Sequence, residues 1–199
     1  MVIFCYTVYM NEPHYEKEPS SEPVIDIATS EDAEDITSVH RLTWMNTYPN
    51  EEAGITEADI KERLEGENGE KIPKNIERWR NTAEKADGNS AVFVARLDGK
   101  VVGFISPRTI HNQRRLGAIY VLPEAQGKGV GTKLINKALE WWGRSEDIYL
   151  HVTTYNTQAF ELYKKIGFEE TGNDIAGEPI KFKSGAVMPE IEMVLKAEK

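Results

Sequence analysis

Cysteine is nearly absent. The 199-residue chain has one, Cys5, so no intramolecular disulfide can form and a reducing, cytoplasmic setting is expected. A thiol nucleophile is not indicated either, because Cys5 lies in an apolar terminal segment without a neighbouring cation to lower its pKa. Long apolar runs are also missing. Residues 1–10 are apolar but much shorter than the roughly 20 residues that span a bilayer, and they carry no basic leader or small-residue cleavage site. They are read as neither signal nor membrane anchor. Clustered basic residues are lacking too: 33 acidic against 24 basic side chains leave a formal net charge of −9. That argues against nucleic-acid binding, which depends on Lys and Arg displacing counterions, and mildly favours a cationic partner. No metal site is expected.

Glycine is present where it matters. Gln126, Gly127, Lys128, Gly129, Val130, Gly131 and Thr132 stand between a strand-like run at 116–122, stopped by Pro123, and a run with helical spacing. Leu134, Ile135, Ala138, Leu139 and Trp142 share one face of that helix, and Gly143 ends it. The helix start offers unpaired N–H groups and the positive end of its dipole, while the glycines let the backbone curl around an anion. Lys128 adds charge at the mouth. The order Gly131–Thr132–Lys133 inverts what a Walker loop needs, and a dinucleotide fingerprint begun at Gly127 would need glycine where Thr132 stands.

With 40% hydrophobic residues, the length suits one α/β domain. Residues 1–23 read as an irregular N-terminal extension, the first ten of which are apolar enough to add a strand or cover a hydrophobic patch, and 24–199 as the domain. The domain opens with a strand at Val24–Ala28 and a helix capped by Ser30, whose stripe is Ile36, Val39, Leu42 and Met45. A second helix runs from Thr56 to about Leu64, and a third from Pro73 through Trp79 to Ala86. Strands at Ser90–Leu97 and Lys100–Ser106 flank an Asp98–Gly99 turn, and a further turn falls at His111–Arg115. Ile148–Val152 completes a βαβ crossover with 116–122. A helix from Asn156, with Ala159, Leu162, Tyr163 and Ile166 on one face, closes at Gly167–Phe168. Loop or ragged strand follows at 172–187, then a strand at Ile191–Leu195.

The loop at Gln126–Gly131, together with Asn156-x-x-Ala159-x-x-x-Tyr163-x-x-x-Gly167–Phe168, resembles the GNAT superfamily of acyl-CoA-dependent N-acyltransferases. Element order agrees from Val24 to Leu195. The resemblance implies an α/β (α+β) fold: a mixed, mostly antiparallel sheet with a splayed central parallel pair and helices on both faces. It implies acetyl-CoA as donor, its pyrophosphate on Gln126 to Thr132 and its pantetheine arm between the strands at 116–122 and 148–152. Val121 and Asn156 would join that cofactor site, although helix capping explains Asn156 nearly as well. A peptide N–H of the first strand would polarise the thioester oxygen.

Tyr163 occupies the family's acid position, and a phenol with an ordinary pKa of about 10 keeps its proton at neutral pH. The family often carries a carboxylate base on the central strand, but 116–122 contains none. Glu124, His151, and Tyr120 with backbone carbonyls and ordered water are the alternatives. On the acceptor side, Trp44 and Tyr48 suit an aromatic wall for a cation, core packing explaining Trp44 equally well, with Glu178 a further candidate; Trp44 and Tyr48 in an acidic chain form a pattern similar to polyamine acetyltransferases of this superfamily. The expected activity is acetyl transfer to a primary amine, either a small molecule such as a polyamine or a protein or peptide amino group. A non-catalytic acyl-CoA-binding module is the competing reading. An edge strand at 191–195 would allow pairing across a homodimer.

Overall fold

Two tight turns frame the sheet. Asp98 and Gly99 take φ of 50° and 77°, and His111 and Asn112 take 49° and 61°, the left-handed pairs that two-residue hairpins with native twist require. The computed structural model describes residues 22–173 and 179–198. Cys5, the first ten residues, most of the N-terminal extension and Glu178 lie outside the described residues. The strands are β1 (Val24–Ile27), β2 (Phe93–Leu97), β3 (Lys100–Ile110), β4 (Gln113–Val121), β5 (Ile148–Thr153), β6 (Glu169–Glu170) and β7 (Glu190–Leu195). They form one sheet in the order β1-β2-β3-β4-β5-β7-β6. Only β4 and β5 run parallel; the other neighbours are antiparallel.

Five helices cover both faces, as the resemblance implied: α1 (Ala33–Thr47), α2 (Glu57–Glu65), α3 (Ile72–Glu84), α4 (Val130–Trp142) and α5 (Thr157–Ile166). On one face Leu134, Ile135 and Ala138 of α4 are fully buried against Ile105, Ile148 and Leu150 of the sheet. On the other, Ile36 and Val39 of α1 and Trp79 of α3 pack with Val94 and Phe104. A third cluster, Trp44, Ile55, Ile60, Leu64, Phe182 and Met188, closes the end of that face.

Several boundaries differ from the sequence expectation. The start of the first helical segment is capped by Thr29, boxed with Asp32, rather than by Ser30. The buried stripe of α1 runs through Ile36, Val39, Thr43 and Trp44, and Leu42 is exposed; at 3.6 residues per turn Leu42 lies about 120° away from Ile36, off the stripe, while Thr43 returns to it. The third helix spans Ile72–Glu84, and the strand before the first hairpin begins at Phe93. β3 continues through Pro107 to Ile110, so Arg114 and Arg115 belong to β4 rather than to a turn. Proline is tolerated there because the ladder is already broken by a register shift between Ile105 and Pro107. Finally, β7 is flanked by β5 and by β6, and Thr171 donates its N–H to the Glu192 carbonyl. The edge foreseen for pairing across a homodimer is therefore partly covered.

Candidate active site

β4 and β5 pair at two positions only, Arg114 with Ile148 and Arg115 with Tyr149. Beyond them the strands separate, leaving backbone N–H and C=O groups without a partner strand. The apex of this wedge is pinned by a network. Arg115 Nη2 donates to Glu192 Oε1 at 2.8 Å, and Arg115 Nη1 lies 2.9 Å from His151 Nε2. Arginine keeps its protons, so Nε2 is the acceptor and His151 is neutral with its proton on Nδ1. Burial and then the Arg115 charge push its pKa down. The sequence option of His151 as a base fails on this geometry, since the nitrogen that would take a proton already accepts one.

Just past the apex, two residues of β3 are matched by three of β4. Ile105 faces Ile119, whereas Pro107 faces Leu116. The extra residue makes a bulge at Gly117–Ala118, and bulges turn backbone groups away from the ladder. A glycine inside a strand is the sequence signal for such a bulge; Gly117 carried it and was not read that way.

A groove of about 1830 Å³ follows the wedge from one face of the sheet to the other. Its lining includes Gln126, Gly127, Gly129 to Thr132 and Asn156 around the glycine loop, and His40, Trp44, Tyr48 and Glu190, with Tyr163 close enough to Tyr48 and Tyr120 for their hydroxyls to act on one another. Gly127 and Gly129 have φ of 73° and 78° with nothing within 4 Å of a built Cβ, whereas Gly131 is held by packing, its Cβ position 3.1 Å from Leu162. The N-terminus of α4 carries no side-chain cap. Open space over two left-handed glycines beside uncapped helix N–H groups fits a diphosphate. Lys128 is exposed and is not among the lining residues. Val130 buries its side chain, leaving its backbone to face the groove. Gln126 Nε2 donates to Val121 O at 3.0 Å, tying loop to strand end. Asn156 Oδ1 accepts the Ala159 N–H at 3.2 Å, a helix cap.

Tyr163 is 7% exposed, its ring packed 5.9 Å from Phe168. Its hydroxyl makes no hydrogen bond among the described residues. Burial and then Tyr120 push its pKa far above the ordinary phenol value. Tyr155 Oη donates to the Tyr48 carbonyl at 2.9 Å, fastening the end of α1 to the turn after β5. Glu190, at the start of β7, lines the groove beside Tyr48 and Tyr120, and burial raises its pKa against the opposing pull of Arg63. Tyr120 and Tyr48 are half-buried, and desolvation of their hydroxyls raises both pKa values.

The sequence model of the Acetyltransferase (GNAT) family matches residues 54–168. The chain belongs to the GNAT acetyltransferase family. It is similar to an N-alpha-acetyltransferase of Sulfurisphaera tokodaii, 32% identical over 114 residues that cover 50% of this chain and 68% of the relative. The N-alpha-acetyltransferase RimI of Mycobacterium tuberculosis is 34% identical over 93 residues, 45% of this chain and 58% of the relative. Among solved structures, the PaiA N-acetyltransferase of Thermoplasma acidophilum in complex with coenzyme A has a TM-score of 0.63 and 25% identity, with 89% of this chain and 100% of that one covered. As a GNAT member the chain is an acetyl-CoA-dependent N-acyltransferase. Among the described residues, no helix is long and apolar enough to cross a membrane.

Sequence reading of this GNAT chain brought the glycine loop, Asn156 and Tyr163 to one groove, and Trp44 and Tyr48 with them. It missed Glu190. That residue sits at the edge of the last strand in a stretch with no motif, and only the β5–β7 pairing, with Thr153 opposite Glu190, carries it to the wedge.

Proposed function

We propose that the chain transfers the acetyl group of acetyl-CoA to a primary amine by direct attack in a ternary complex, with Glu190 as base and Tyr163 as acid. The observation that carries this reading is a single groove that joins an uncapped helix N-terminus, a splayed strand pair and two protonatable side chains of opposite role. When bound, acetyl-CoA supplies an activated acetyl thioester. The backbone of Gly127 to Thr132 would hold its diphosphate, the unpaired edges of β4 and β5 its pantetheine arm, and the bulge at Gly117–Ala118 would aim a peptide N–H at the carbonyl oxygen.

The two protonatable groups divide the proton traffic. Glu190 has a pKa raised by burial, which makes it a stronger base than a solvated carboxylate. Tyr163, protonated throughout that range, offers its hydroxyl proton to the leaving sulfur. Trp44 and Tyr48 wall the acceptor end. A small amine fits this description. The second reading, a protein α-amino group, is favoured by the N-alpha-acetyltransferase names of the relatives above.

Release of CoA thiol with a panel of amines and N-terminal peptides tests the reaction, and its pH profile tests the base. kcat/KM should rise with pH through a pKa above the ordinary glutamate range. Glu190→Gln should lower the plateau roughly ten- to a hundredfold and abolish that limb. A limb that survives the substitution rules Glu190 out. In the loop, Gly129→Ala should cost about 1 kcal/mol of stability, since alanine is strained at φ of 78°. CoA affinity should fall severalfold with it. An unchanged affinity would separate Gly129 from the diphosphate.

A further inference from the structure

We propose that the acceptor end of the groove binds a carboxylate carried on the amine substrate, through Arg63, Arg78 and Arg108; this rests on the acetyltransferase reading and narrows its acceptor. The chain has nine arginines. Arg41, Arg80, Arg96, Arg114, Arg115 and Arg144 each lie within 4.0 Å of a carboxylate. The other three have no ion pair among the described residues, although acidic side chains outnumber basic ones. All three line the same groove, and they come from three elements, α2, α3 and β3.

Each guanidinium is positioned by packing instead of by an acid. Arg63 lies 5.7 Å from the Trp44 ring and 5.9 Å from Phe182, and Arg78 lies 4.7 Å from Trp79. Arg108 lies across β4 where Gly117 leaves room, since a Cβ there would stand 2.6 Å from Arg108 Nε. Stacked guanidinium groups keep their N–H forks free, the geometry that recognises carboxylate in bidentate fashion. All three side chains are exposed to the groove, and their like charges act on one another: partial desolvation first, then Arg108, pulls down the pKa of Arg78. Among the described residues none of the three has an ion-pair partner within 4.0 Å, and Glu190 is the acid of the groove that Arg63 acts on. Glu62, which also lines the groove, is already held by Lys71 at 3.0 Å and Lys183 at 2.8 Å.

A polyamine would bring further positive charge against three unneutralised arginines. A zwitterion meets complementary charge at both ends, its amine at Glu190 and its carboxylate at the arginines. Arg63 is near enough to Glu190 to lower its pKa, so the two groups of the ligand are close together, as in an amino acid or an acidic peptide N-terminus.

The test uses the full chain with acetyl-CoA and acceptors matched except for the acid: glycine against glycinamide, Ser-Glu-Glu against Ser-Lys-Lys peptides, and spermidine. The carboxylate-bearing member should be preferred at least roughly tenfold in kcat/KM, and Arg78→Gln or Arg108→Gln should raise its KM roughly ten- to a hundredfold. KM for the matched amide or lysine peptide should move far less. Preference within the glycine pair identifies a free amino acid, and within the peptide pair an acidic N-terminus. Independently, succinate titrated calorimetrically into the CoA-loaded protein should bind saturably, and the Arg78→Gln/Arg108→Gln double variant should lose that binding. Preference for amide or spermidine, equal KM changes across a pair, or no succinate binding overturns the carboxylate site while leaving acetyl transfer intact. Succinate binding that the double variant abolishes, with no amine acetylated, keeps the site and sinks the acetyltransferase reading instead.

Discussion

Tyr163→Phe is expected to lower kcat roughly 10²- to 10³-fold while leaving acetyl-CoA affinity within about twofold. The substitution removes one oxygen and nothing else that the packing uses. The ring rests on Phe168 at 5.9 Å and stays buried in the cluster beneath α4, so a phenylalanine fills the same space. Because the hydroxyl has no hydrogen-bond partner among the described residues, its loss orphans no neighbour, and stability should change little. What disappears is a proton donor whose pKa burial holds far above neutrality. The expelled thiolate then has to find its proton in water. Steady-state kinetics with calorimetric CoA binding checks this. A fall in binding equal to the fall in kcat would assign Tyr163 to packing or cofactor contact. An unchanged kcat would remove it from the chemistry.

The cofactor half of this site was legible in the chain and the acceptor half was not, for a physical reason. Binding a diphosphate uses backbone groups, and the backbone advertises itself locally: glycines at 127 and 129, a strand before, an amphipathic helix after. Tyr163 is fixed by helical spacing from Asn156 to Gly167, again a local pattern. The acceptor end is assembled from side chains on α1, α2, α3, β3 and β7, far apart in sequence. Nothing near Arg108 in the chain announces that it will lie over Gly117 beside Arg78. Likewise Glu190, the base proposed in place of the missing carboxylate of β4, reaches the groove from β7, and only sheet order brings it there. Trp44 and Tyr48 pack with ring centroids 4.8 Å apart, and Trp44 is also part of the core cluster at that end. The charge of that end was set by arginines the local pattern could not place.

Acid destabilisation is the other large expected effect, and it centres on His40. Its ring stands among Tyr120 at 5.0 Å, Trp44 at 5.3 Å, Trp79 at 6.0 Å and Phe104 at 6.3 Å. Burial, then the charges of Arg78 on α3 and Arg63 on α2, lower its pKa to about 3. Attraction of a cation to the surrounding rings, about 2 kcal/mol where desolvated, works against desolvation and the two opposed arginines and would narrow the shift. Between pH 3 and 6.5 the unfolded chain therefore binds a proton at His40 that the native state refuses. The stabilisation is complete above about pH 6.5 and is lost as pH falls, by about 2 kcal/mol at pH 5 and on the order of 4 near pH 3. His151, also lowered, adds a loss of the same sign. Carboxylates held down in the native state, such as Asp32, contribute mainly below about pH 4, whereas Glu190, raised by burial, gains stability as pH falls and offsets part of the loss, so the share of His40 is read from the difference between the native chain and a His40 variant. Urea denaturation at pH 5 and 7.5 measures the effect. His40→Phe, which keeps an aromatic ring in the cluster, should lose at most half as much stability over that interval as the native chain. Equal losses would mean that His40 titrates at its ordinary value and that the acceptor wall admits a proton, and with it a positive charge, far more readily than its arginines imply.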